Sequence, residues 1–175
     1  MRNALFFVAG LVSQAYAADG GMHAGHGAPY AGQQSRQVKA LSDEEVAGYL
    51  SGAGMGFAKA AELNGYPGPM HSLENADALA LTAAQRDAIG RVMHAHKQEA
   101  RELGEEVVRL EKELDALFAS RAATPKLVDA KLQQLAQAQA RVRASHLKAH
   151  LATTALLTPA QVESYNRLRG YANAS

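Results

Sequence analysis

From Leu81 onward, apolar residues recur at alternating steps of four and three: Ile89, Met93, Ala100, Leu103, Val107, Leu110, Leu114 and Leu117, with His96 set into the series. That spacing lines one face of a single α-helix of about ten turns. Thr124-Pro125 closes this helix and opens another, threonine as the N-cap and proline at the first helical position. The stripe resumes at Val128, Leu132, Leu135, Val142 and Ala149, and Gln139 and His146 fill its two gaps. The turn at Ala122-Ala123 is short, so the two helices are expected to lie antiparallel and adjacent. At ~1.5 Å per residue, a first helix of about 38 residues spans roughly 57 Å.

Three helix starts share one chemistry. Ser42-Asp43-Glu44-Glu45, Thr82-Ala83-Ala84-Gln85 and Thr158-Pro159-Ala160-Gln161 each place a capping hydroxyl three residues before a carboxylate or amide. The helix beginning at Ser42 runs into Gly52, Gly54 and Gly56. No strand precedes these glycines and no Gly-Lys-Ser/Thr follows them, so they read as a bend or close helix packing, not as a phosphate loop. A second short helix is expected from Phe57 to Leu63, stopping at Asn64-Gly65, with Tyr66-Pro67-Gly68-Pro69 as a rigid turn. The fold class is therefore all-α: a long antiparallel helical hairpin with short flanking helices. A hairpin this thin cannot bury both its faces, which points to a homodimer.

The N-terminus reads differently. Arg2, the apolar run from Leu5 to Val12 and the small residues of Ala15-Tyr16-Ala17 have the form of a secretory signal peptide covering residues 1–17. The run is too short for a membrane span, so export to the periplasm without membrane insertion is expected after cleavage. Residues 18–40 lack a hydrophobic period and read as a flexible, histidine-containing tail, leaving residues 41–171 as the helical domain. The chain holds 18 Lys and Arg against 17 Asp and Glu, and loss of Arg2 would balance them. Such a balance offers no basic footprint for nucleic acid. With no cysteine, thiolate metal sites and thiol nucleophiles are excluded.

The chemistry that remains is carried by histidine. His146 and His150 are four residues apart on one helix face. In the hairpin register, residue 96 faces position 149 and residue 99 faces position 146. His96, Glu99, His146 and His150 are thereby expected within about one turn of each other. Three imidazoles and a carboxylate suit Zn, Ni, Co or Cu(II) better than Mg or Ca. The same residues also fit a hydrogen-bonded seam pair with a solvated His150, and both readings stay open. His23 and His26, beside Met22, read as incidental histidines of a flexible tail or as a looser site for Cu or Zn, and His71 with Glu74 as a helix-start pair, the alternative being a fifth ligand. Met55 and Met93 read as core filler. No His-Glu-x-x-His and no nucleophile with a nearby base can be picked out, so no enzymatic activity is expected.

Two Leu-Thr-x-x-Gln signals, Leu81–Gln85 and Leu157–Gln161, bracket the hairpin. That arrangement resembles the Spy/CpxP superfamily of periplasmic stress proteins, which includes ZraP-like and CnrX-like heavy-metal resistance and sensor proteins, over residues 41–171. The resemblance implies a non-enzymatic, dimeric hairpin that needs no cofactor. Its role would be an ATP-independent chaperone or signalling adaptor, with unfolded envelope proteins or a membrane sensor or efflux component as partners. Alternatively it implies a transition-metal sensor or buffer using the hairpin histidines. The segment Gly56–Pro69 and the balanced surface charge set the chain apart from the chaperone members.

Overall fold

The computed structural model describes residues 28–171. The signal-peptide segment and the tail histidines His23 and His26 lie outside them. Residues 28–32 belong to a separate small unit, described here only as a turn in which the Ala31 N–H donates to the Ala28 carbonyl. The main unit holds a short 3₁₀ turn at Gln33–Ser35 followed by helices α1 (Asp43–Ser51), α2 (Lys59–Glu62), α3 (Pro69–Glu74), α4 (Ala83–Ala119), α5 (Pro125–Ala155) and α6 (Pro159–Leu168). Among the described residues there is no strand, and the fold is all-α. No helix among them is long and apolar enough to cross a membrane.

The long hairpin is α4 against α5. Thr124 caps α5 and Pro125 opens it, while α4 ends one residue before Ser120. Charge pairs set the register from side to side: Glu113 with Lys131 (2.7 Å) and Glu106 with Arg141. Two apolar clusters form the core, one along the seam and one where α6 packs at the open end of the hairpin. One joins Val38, Leu41 and Tyr49 to Val107, Val108, Leu110, Leu135, Ala138 and Val142. The other, at the open end, joins Ala76, Leu79 and Leu81 to Ile89 and Tyr165. Val38 falls in the segment read as tail, yet it is among the most buried side chains, so the core recruits residues ahead of Leu41.

Two features of the pattern come out differently in space. On α5 the seam passes through Ala138, not Gln139, and Gln139 is exposed, as is Leu132. The segment read as a proline turn also starts a helix, because Pro69 at the first position of α3 lacks only an N–H that no helical bond would use.

The paired Leu-Thr-x-x-Gln starts are explained by what their glutamines do beyond capping. Gln85 Oε1 accepts from the Thr82 N–H, and Gln161 Oε1 from the Thr158 N–H. Each amide nitrogen then reaches across to the other start. Gln85 Nε2 donates to Gln161 Oε1 (2.8 Å) and the Leu156 carbonyl (2.9 Å), and Gln161 Nε2 donates to Gln85 Oε1 (3.0 Å) and the Leu79 carbonyl (3.2 Å). Glutamate could complete either cap but could not donate, whereas the exposed box at Ser42 has no facing cap and uses Glu45. Gln85→Glu is accordingly expected to cost about 2 kcal/mol, since it removes two partly buried donors and sets a carboxylate against Gln161 Oε1. Urea unfolding measures this. A loss under about 0.5 kcal/mol would contradict the clasp.

Candidate metal centre

Between the two apolar clusters the hairpin seam turns polar. His96 comes from the middle of α4 and His146 from α5, and their rings meet edge to face with centroids 4.4 Å apart. Phe57 closes over His146 from the segment before α2, 5.4 Å between centroids. His146 is only 5% exposed, and its Nε2 has no hydrogen-bond partner among the described residues. A buried nitrogen left without a partner carries an uncompensated desolvation cost, which makes it a position that a ligand would relieve.

The proton positions follow from the neighbours. Ser145 Oγ donates its single proton to Glu99 Oε2 at 2.7 Å, because a carboxylate can only accept. It therefore accepts from His96 Nδ1–H at 3.0 Å, which leaves Nε2 as the lone-pair nitrogen of the neutral ring. His150 has the same arrangement by another route. Its Nδ1 lies 2.8 Å from the Tyr66 carbonyl and 3.5 Å from Glu62 Oε2, so in the neutral ring Nδ1 carries the proton and Nε2 is free. An imidazole fixed through Nδ1–H by a carbonyl or carboxylate is the usual support of a metal-binding histidine.

Burial holds both seam histidines below the usual imidazole range. His146 is lowered to about 4, by burial first and then by positive charge on His96, His150 and Lys97. His96 is lowered by burial, against the opposing pull of Glu99. Both rings are neutral at pH 7 and available as donors.

His150 is placed by parts of the chain that the spacing argument did not reach. The Tyr66–Pro69 turn passes so close that a Cβ on Gly68 would lie 2.7 Å from the His150 ring, so a larger residue there would displace that ring. Glu62, at the end of α2, accepts from Tyr165 Oη (2.8 Å) and Arg169 Nε (3.2 Å), and Tyr165 in turn accepts from the Gly68 N–H (3.3 Å). This network ties α2, the turn, α5 and α6 together around a cleft of about 420 Å³, lined among others by His71, His96, His146 and His150.

Of the four candidate ligands from the sequence, His96 and His146 are in contact, and His150 shares their cleft. Glu99 is exposed, with its carboxylate turned to Ser145. Among the described residues no three His, Asp or Glu side chains stand close enough, as they are, to hold one ion. Holding one ion with all three imidazoles would require His150 to move toward the seam pair. His71 pairs with Glu74 at 2.8 Å within α3. Ser145, Glu62 and Gly68 were missed, because a serine inside an apolar stripe and a carboxylate on a short helix carry no periodic signal.

A family model described as heavy-metal resistance matches residues 46–164, more than half of the chain. The chain belongs to the heavy-metal resistance family. This family covers the Spy/CpxP/ZraP-like proteins, as the paired Leu-Thr-x-x-Gln signals implied. Its members are in general non-enzymatic and typically extracytoplasmic. No curated protein and no solved structure matches the chain.

Proposed function

We propose that this member of the heavy-metal resistance family is an exported, periplasmic protein that binds a transition-metal ion in the hairpin seam, as a sensor or buffer. The ligands are the Nε2 atoms of His96, His146 and His150. The observation that carries this reading is the buried, unpartnered Nε2 of His146 beside a second imidazole whose own Nε2 is free. Neutral imidazole nitrogens suit Zn, Ni, Co and Cu. Glu99, which accepts from Ser145 and does not line the cleft, is not among them.

Isothermal titration of the full chain with Zn(II) tests the assignment. His146→Ala and His150→Ala should each weaken binding at least about tenfold. Equal, weak binding by wild type and both variants would end it.

A second reading, client holding or adaptor docking by a homodimer, draws on apolar side chains left open around the hairpin tip. Phe118, Leu127 and Leu132 are each at least 45% exposed. Light scattering should give twice the mass of one chain, and a monomeric mass would count against pairing through this region.

A further inference from the structure

The histidine cleft has a second set of donors. Met55, Met70 and Met93 are the methionines of residues 28–171, and all three line the cleft that also takes four of the five histidines in that stretch. Methionine is ordinarily a core residue. Met55 and Met70 are instead 41% and 47% exposed, with the Met55 thioether lying over Gly48 of α1. Met55 also holds a left-handed backbone (φ 43°) between Gly54 and Gly56, a conformation that is costly for any residue with a side chain and that glycine would adopt freely.

Charge narrows the choice of ion. The ionised side chains lining the cleft are Lys59, Lys97 and Arg169 against Glu62, an excess of positive charge. The carboxylate beside the seam pair, Glu99, accepts from Ser145 and does not line the cleft. An ion bound here on neutral donors keeps its full charge among cations, and the repulsion on a monovalent ion is half that on a divalent one. Neutral, polarisable thioether and imidazole donors, with no thiolate in the chain, are those that a soft ion prefers.

We infer that the ion this cleft selects is soft and monovalent, of the Cu(I) class, held by the thioethers of Met55, Met70 and Met93 together with the seam imidazoles. This rests on the histidine reading above but makes a separate demand, that sulfur be a ligand. The test is anaerobic Cu(I) titration of the full chain against a chromophoric Cu(I) chelator, with Zn(II) titration in parallel, for wild type, the three single Met→Leu variants and the triple variant. Leucine preserves volume and removes only the sulfur. The triple variant should lose at least about tenfold in Cu(I) affinity with Zn(II) affinity unchanged, and X-ray absorption of the Cu(I)-loaded wild type should show sulfur neighbours. Unchanged Cu(I) affinity in the triple variant, parallel loss of both ions, or nitrogen-only coordination would each overturn the thioether assignment. Failure of the histidine reading is distinct: His146→Ala would then leave both ions bound as in wild type.

Discussion

Gly104→Val should lower the melting temperature by roughly 10 °C, whereas Gly90→Ala in the same helix should leave it unchanged or raise it slightly. Both glycines lie inside α4, where glycine is unfavourable by about 1 kcal/mol relative to alanine. The difference lies in what a side chain would meet. A Cβ on Gly104 would fall 2.2 Å from the Tyr49 carbonyl oxygen and 2.7 Å from its carbon, in the backbone of α1. Backbone held in a helix cannot swing aside as the end of a side chain can. α1 must therefore lift from α4, and Tyr49 loses its packing on Val107 and Val108. Overpacking of this kind costs about 1–3 kcal/mol, and valine adds its own crowding within α4. Gly90 has no such neighbour within 4 Å, so alanine there gains helix propensity alone. Thermal unfolding by circular dichroism checks both. A neutral Gly104→Val would mean that α1 does not dock on α4 at this point.

Acid should begin to destabilise the protein above the carboxylate range. His146 titrates near 6.5 in the unfolded chain and at about 4 when folded, because burial opposes its charge. Between those values the unfolded state binds a proton that the folded state refuses, so stability falls as pH drops through this window. The loss is absent above about pH 7 and complete below about pH 4, and amounts to about 3 kcal/mol from His146. His96 is shifted in the same direction and adds to it. Glu45 and Glu113, lowered mainly by hydrogen bonds to Ser42 and Lys131, lose their contributions only as the pH falls into the ordinary carboxylate range. His146→Leu should flatten the profile between pH 6.5 and 4.5 in urea unfolding, and parallel profiles would contradict this. The same depressed basicity bears on metal binding. An ordinary histidine site weakens below about pH 6, but weaker proton competition at His96 and His146 should carry binding lower.

Much of the frame can be read from the chain because its devices are local. A hydroxyl three residues before Glu or Gln marks the start of α1, α4 and α6, and Thr124-Pro125 marks that of α5. The period of α4 gives its seam directly, since Ile89, Ala100, Val107 and Leu110 are nearly fully buried. The pattern on α5 is weaker. Its seam includes Ala138, Ser145 and Ala149, small residues that let the helices approach but hardly differ from the alanines on its outer face.

The placement of the candidate residues is legible as far as register reaches. His96 and Glu99 do arrive beside residues 145 and 146, but the choice between them is made by single atoms. Ser145 takes the Glu99 carboxylate that register alone would have offered to His146. His150 is drawn to the Tyr66 carbonyl, whose position depends on the Glu62–Tyr165–Gly68 network. That network joins residues about 100 positions apart, such as Tyr165 and Glu62, and no local pattern announces it. Met55 and Met93 read as core filler for a related reason: that they line one cleft with Met70 belongs to the tertiary fold.

The most direct test of the proposed metal centre is nitrogen-resolved NMR of the histidine rings in the full chain while Zn(II) is added. Before addition, His96 and His150 should show a protonated Nδ1 and a free Nε2. On titration the Nε2 signals of His96, His146 and His150 should move together, with His71 and His94 unaffected. Shifts confined to His71, His94 or the N-terminal histidines, or none at all, would contradict the assignment.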